Sequence, residues 1–349
     1  MEQESKRAKP DNDAKRYLLY KNGSGESASI QFIESDHQYK AFSPWLGKWV
    51  DSKEGYPSLP VVSVTKLLET YFVSPDFHHM AQKIIDSEAN QERIRNDPSY
   101  KYYQCFTVED ILNQWSQGST LGTAMHAAFE DLSNITEYER DHHIESHQLR
   151  SLYTHIPEVQ YFNEYCVHMG IFSGKRIFYR TEMLLFHDVL NICGMADTML
   201  FDTSTGGYII TDFKRIKNGL VTDPIKPSKK IEDLAKSARG AHLPAFMKLR
   251  NHNTNKYGCQ LTLYKTLFEY MNPDKRITGM YLVVIDSEKI GTEHALQISE
   301  VPIGKYDDCI QQLMGQRALD ILREDPDSVP EQLREKLDSF LTYIDFEKK

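Results

Sequence analysis

Three strand-like stretches follow one another in the middle of the chain, separated by two short turns. They are residues 178–186 (FYRTEMLLF), 191–201 (NICGMADTMLF) and 207–216 (GYIITDFKRI). Each is rich in β-branched and aromatic residues, and the breaks at His187-Asp188 and Ser204-Thr205-Gly206-Gly207 carry turn chemistry. Turns this short join antiparallel neighbours. Centring the second turn between Ser204 and Thr205 sets Asp197 opposite Asp212, and centring the first between Val189 and Leu190 sets Glu182 beside Asp197. Opposed side chains have Cβ atoms about 4.5–5.5 Å apart, and like charges that close destabilise the pair. A shared proton, a basic group or a bound cation must compensate.

Lys214 lies two residues after Asp212 and therefore on the same strand face, while Phe213 alternates to the other face with Ile209 and Thr211. Taken alone, an Asp-x-Lys pair is an ordinary surface salt bridge. With Asp197 opposite, the oxygens suit a hard divalent cation. Such a cation would polarise a phosphate, with Lys214 orienting a water or balancing charge.

Around this unit the periodicity predicts a short β region over 29–42 and a loop over 45–60. Ser63 is expected to cap a helix running through Val64-Leu68. Helices are expected over 76–90 and 107–115. A separate helix should start at Ser119 or Thr120 and pass through Gly122, His126 and Glu130. A further helix over 257–270, strands over 277–285 and 294–301, and a charged helical end from Tyr306, broken near Asp325-Pro326, complete the pattern. The order is helix, three strands, helix, then one or two strands, which predicts an α/β fold with a mixed central sheet flanked by helices. The expected division is a disordered tail at 1–28, a β/helical lead-in at 29–118, a core at 119–304 and a helical extension at 305–349.

His126 and Glu130 share a helix face. The pair is an ordinary surface feature or a metal ligand with a supporting carboxylate. Gln260 and Tyr264 repeat the spacing and are surface polarity, a core tyrosine or part of the site. The formal net charge of the 349-residue chain is -9, which argues against a simple nucleic-acid coat protein. Between Phe213 and Lys256, however, eleven basic residues, among them Arg215, Lys217, Lys226, Lys229 and Lys230, face only Asp223, Glu232 and Asp233. This run is a solvated loop or a surface that tracks phosphates. The five cysteines form no CxxC pair, so reduced thiols are expected and neither a zinc ribbon nor an iron–sulfur cluster. No stretch nears the ~20 apolar residues of a membrane span. The N-terminal residues lack a secretory core, so an intracellular location, cytoplasm or nucleus, is expected.

Together, Gly122-x3-His126-x3-Glu130, Gly194-x2-Asp197, Asp212-Phe213-Lys214 and Gln260-x3-Tyr264 resemble the RecB-like branch of the PD-(D/E)xK nuclease superfamily. That branch includes phage, large-virus and mitochondrial genome-maintenance exonucleases. The resemblance spans roughly 119–303 and implies a restriction-endonuclease-like core in αβββαβ order. It implies Mg²⁺ or Mn²⁺ held by His126, Asp197, Asp212 and the Phe213 carbonyl, with Lys214 catalytic and Gln260 and Tyr264 positioning site and strand. Glu182 matches an acidic position of open role, and Glu130 a further candidate. His37-x-Tyr39, Ser63-Val64-Thr65 and Trp115 are similar to the lead-in of viral members, where this segment frames a DNA channel; Ser63 and Thr65 are thus candidate DNA contacts. The implied activity is a DNA exonuclease of recombination, repair or replication, acting on ends or single strands. A structure-specific or nicking endonuclease and a silent DNA-binding subunit are the alternatives.

Overall fold

The computed structural model describes residues 30–33, 38–45, 47–51, 61–72, 75–134, 151–217, 243–324 and 326–344. The expected tail at 1–28 and the candidate DNA contacts Lys226, Lys229 and Lys230 lie outside them, as does His37.

The three predicted central strands form as β5 (Arg176–His187), β6 (Ile192–Asp202) and β7 (Tyr208–Ile216). They pair antiparallel in the expected registers: Thr181 faces Thr198, Met183 faces Ala196, and Thr198 faces Thr211. One bulge, between Phe178 and Arg180, shifts the first three pairs by one residue. Parallel to β7 runs β8 (Ile277–Asp286), and β9 (Leu296–Glu300) closes that edge. A parallel neighbour needs a crossover. Here it contains the short α6 (Pro244–Met247) and the long α7 (Asn253–Met271). The sixth strand, β4 (Val62–Ser63), was not foreseen; it pairs parallel with β6 at Ile192 and Cys193. Upstream, β1 (Ile30–Ile33), β2 (Gln38–Ser43) and β3 (Lys48–Asp51) form a separate antiparallel sheet, so the predicted loop over 45–60 contains a strand.

Both faces of the main sheet are covered, making it an α/β fold with a mixed sheet flanked by helices. One face carries α1 (Val64–Glu69), α7, α8 (Asp307–Glu324) and α9 (Glu331–Leu341), with Ile210, Leu282, Leu263, Leu313 and Leu337 in one core. The other carries α4 (Val108–Ser133) and α5 (Gln160–His168), where Met125, Phe129 and Tyr165 pack on Phe213 and Val283. Because α8 and α9 share the main core, the expected boundary at 304/305 separates no independent unit.

Three helix expectations need correction. No new helix starts at Ser119 or Thr120. One continuous α4 begins after Thr107, whose hydroxyl and the Asp110 carboxylate form a reciprocal capping box. The proposed domain boundary at 118/119 therefore falls inside a helix. The predicted helix over 76–90 is two, α2 (Phe77–Asp86) and α3 (Glu88–Asn96), broken at Ser87, which is extended. The segment Pro157–His168, a 3-10 turn leading into α5, was not anticipated. No helix among the described residues is long and apolar enough to cross a membrane.

His187, at the end of β5, is 1% exposed and stacks on Tyr270 with ring centroids 3.8 Å apart. Burial first, and then Lys336, pull its pKa down to about 3. The unfolded chain protonates this histidine below about pH 6.5, whereas the folded chain does so only near pH 3. Its contribution to stability is therefore lost as pH falls between those values, by up to about 1.4 kcal/mol per unit. Denaturant titrations at pH 7, 6 and 5 should show a shallower acid loss for His187→Phe than for the wild type, by about one proton; equal slopes would refute this.

Candidate metal centre

Strand β6 pairs β5 along nearly its whole length. Its other edge pairs β4 at Ile192–Cys193 and β7 at Thr198–Phe201. Between these two partners, over residues 194–197, β6 lies at a fork. Here Asp197 takes over from the ladder: its Oδ2 accepts the N–H of Phe213 at 2.7 Å. His126 enters from α4, with Nδ1 3.4 Å from the same oxygen and its ring edge-on to Phe213. The helix is held there by Phe129, nearly one turn on, whose ring packs on Phe213 at 4.9 Å. One ligand atom from each of His126, Glu182 and Asp197 lies within 4.8 Å of the other two.

Glu182 reaches this point by leaving β geometry. Its φ is +45°, in the left-handed region that costs a non-glycine residue roughly 1–2 kcal/mol. The alternation of β5 breaks accordingly. Thr181 bonds Asn134 at the end of α4, while Met183 lies in the core under α7. Strain of this kind persists only where the surroundings impose it, and it clusters at functional sites.

Asp212 is 1% exposed and its Oδ2 is 2.5 Å from Lys214 Nζ. Its Oδ1 accepts no hydrogen bond among the described residues. Burial above all, with the charge of Asp197 adding, pushes the Asp212 pKa up to about 6 against the pull of Lys214. Burial likewise raises Asp197. For Lys214, burial works against the charge, but Asp212 and Asp197 outweigh it and hold the ammonium above its usual pKa. Burial, then Lys214, lowers His126 to about 4, although Asp212 and a hydrogen bond to the Phe213 backbone resist. At neutral pH the imidazole is uncharged, the form that binds metals. A neutral imidazole, converging carboxylates and a buried oxygen with no donor fit a divalent cation that prefers oxygen ligands.

Helix α7 closes the other side. Gln260 Nε2 donates to Tyr264 OH at 2.8 Å, both residues being buried. The Tyr264 ring lies across Gly194. A Cβ there would sit 2.6 Å from Tyr264 Cε1 and 3.0 Å from Val64 Cγ2, so only glycine fits. Tyr257, one heptad before Tyr264, places its ring 5.3 Å from Lys214 Nζ. At Gly122, one turn before His126 on α4, a Cβ would meet open space, so packing does not explain that glycine.

The structure thus brings His126, Glu182 and Asp197 into one ligand cluster. Asp212, predicted as a ligand, is outside that cluster and paired with Lys214, near enough for its charge to act on Asp197 and His126. Gln260 and Tyr264 lie on the same side of the sheet. Phe213 contributes its backbone and anchors the fork with its ring. Glu130, one turn beyond His126, is outside the ligand cluster. Ser63 is a helix cap, its Oγ accepting from Lys66 N at 3.2 Å, and Thr65 is exposed on α1. Arg215 and Lys217, expected to grip phosphates, are engaged by Glu158 and Glu288. Sequence reasoning missed Tyr257, although its heptad spacing from Tyr264 was a visible signal, and missed Glu158, for which no local signal existed. No protein-family model matches this sequence, and no curated protein is found to be similar to it.

Proposed function

We propose that the protein is a divalent-cation-dependent DNA nuclease on a restriction-endonuclease-like αβββαβ core, of the RecB-like kind, acting as an exonuclease in recombination, repair or replication. The observation that carries this reading is the convergence of His126, Glu182 and Asp197, next to the buried Asp212–Lys214 pair whose charges act on Asp197 and His126. His126, Asp197 and Asp212 would hold Mg²⁺ or Mn²⁺, with Glu182 and the Phe213 carbonyl at hand. The cation would supply charge stabilisation at the scissile phosphate and ease ionisation of water.

The chain's own residues do the rest. Lys214, kept protonated by two carboxylates, neutralises charge that builds on the phosphate and steers the attacking water. Asp212 orients that ammonium at 2.5 Å. The Gln260–Tyr264 bond fixes the floor of the site across Gly194, and the Tyr257 ring faces the Lys214 ammonium. The α/β frame, with α4 on one face and α7 on the other, sets the reacting groups on rigid elements.

Four outcomes are expected. Mn²⁺ should raise the melting temperature of the wild type, as any ligand specific to the folded state does, and Asp197→Asn should lose that response; a wild type indifferent to both Mn²⁺ and Mg²⁺ would sink the metal reading. Lys214→Ala should lower cleavage of end-labelled single-stranded DNA on the order of a thousandfold while DNA binding is kept. Closed circular DNA should stay intact with the wild type, and its cleavage would move the assignment to an endonuclease. Both Glu182→Gln and Glu182→Gly should weaken the Mn²⁺ response, yet the glycine variant should be the more stable of the two by about 1 kcal/mol, because it alone relieves the left-handed backbone. Equal urea midpoints for the pair would contradict the strain argument.

A further inference from the structure

Arg215 follows Lys214 on β7 and, by strand alternation, turns to the opposite face. Lys214 lies against Tyr257 of α7, whereas Arg215 reaches toward α4. Its Nε is 2.6 Å from Oε1 of Glu158 in the 3-10 turn before α5. Glu158 is fully buried, and its Oε2 makes no hydrogen bond among the described residues. Nη1 of the same guanidinium lies 3.9 Å from the place a Cβ would occupy on Gly118, two turns before His126 on α4.

We propose that the Glu158–Arg215 ion pair is a positioning device that ties β7, one residue past Lys214, to the 3-10 turn whose Val159 packs against Ala128 of α4, and so holds His126 in register with Asp197 and Asp212. Arg215 is then a positioning residue and not a ligand for the DNA backbone. This inference rests on the metal-site reading above. A carboxylate at zero exposure with one oxygen unbonded holds its cation firmly, since releasing that cation would leave the charge buried alone. A guanidinium is planar and directional, so the pair fixes orientation as well as distance. The bare backbone of Gly118 leaves the guanidinium room beside α4, and the metal-binding imidazole stands on the same rigid helix.

The test compares wild type, Glu158→Gln, Arg215→Lys and the uncharged double variant Glu158→Leu/Arg215→Met. Two quantities are read: the Mn²⁺ concentration giving half the thermal shift, and the affinity for a labelled single-stranded oligonucleotide in EDTA at two salt concentrations. Glu158→Gln and Arg215→Lys should both raise the Mn²⁺ midpoint, on the order of tenfold, with kcat lowered, KM kept, and DNA affinity and its salt slope unchanged. If Arg215 instead holds phosphate, the two variants diverge. Glu158→Gln, freeing the guanidinium, would tighten DNA binding. The double variant, lacking the charge, would weaken it and reduce the salt slope by about one ion. That divergence overturns the proposal, as does a wild-type Mn²⁺ midpoint in either single variant. Should the single variants fail to fold, the double variant decides: folded with a weakened midpoint supports the proposal, and folded with the wild-type midpoint refutes it. Absence of any Mn²⁺ response in the wild type is a separate result that removes the metal reading and this inference with it.

Discussion

Two carboxylates and an ammonium share a pocket from which water is largely excluded, at the point where β6 parts from β7. Their mutual electrostatics govern the arrangement. Asp197 and Asp212 are both driven toward protonation by burial, and Lys214 is driven toward charge by the two of them. A buried acid pair neutralised by a single lysine is short of positive charge by one. Among the described residues no second charged cation acts strongly on the pair. His126 faces Asp197 at 3.4 Å but is held in its uncharged form. The pocket thus combines an excess of negative charge with a neutral nitrogen donor, the electrostatic setting in which a divalent cation is stabilising.

The surrounding fold is arranged to keep that imbalance. Phe213 packs among Phe129, Tyr165 and Phe162's neighbours, so the strand that carries Asp212 and Lys214 cannot roll. On the reverse face Tyr264 crosses Gly194, and a methyl group at that glycine would push α7 off the sheet. The site is therefore gripped between two aromatic layers. The Glu182 backbone, at φ +45°, is the one place within it where local geometry yields to the cluster. A sequence selected for folding alone would set glycine or asparagine there. A glutamate at that φ is a local conflict that the ligand cluster resolves, because the strained backbone is what delivers the carboxylate to His126 and Asp197.

The central hairpins were legible because strand period and turn length are local properties. Both registers follow from the two turn centres, and that of β5 with β6 holds back to Arg180, where the bulge shifts the remaining pairs by one residue. The approach of Glu182 to Asp197 was legible for the same reason, whereas Asp212, expected opposite Asp197, lies beyond the last ladder pair of β6 with β7 and outside the ligand cluster. Helix α4 was legible only in its parts: Gly118-Ser119-Thr120 reads as an interruption, yet the tertiary packing of Met125 and Phe129 on one side and Ile111 on the other carries the helix through it. Strand β4 has two residues, too few for any period to register, and exists because β6 offers it an open edge. The pairing of Glu158 with Arg215 joins residues 57 apart in sequence, and no short-range pattern encodes it.

The basic residues after Lys214 illustrate how charge counted along a sequence differs from charge available at a surface. Arg215 and Lys217 belong to the run that suggested phosphate tracking, yet each is bound to a carboxylate from a distant segment, Glu158 and Glu288. Each charge has an opposite partner, in the first case a fully buried carboxylate and in the second a half-exposed one. A phosphate could recruit Arg215 only by leaving Glu158 ionised and dry, a penalty that one surface contact to DNA does not repay. The Lys217–Glu288 pair is half exposed and weakly held, so it differs from the Arg215 pair, whose carboxylate is fully buried. Lys214 is held charged by Asp212 and Asp197, and it is the ammonium that the proposed reaction sets beside a phosphate.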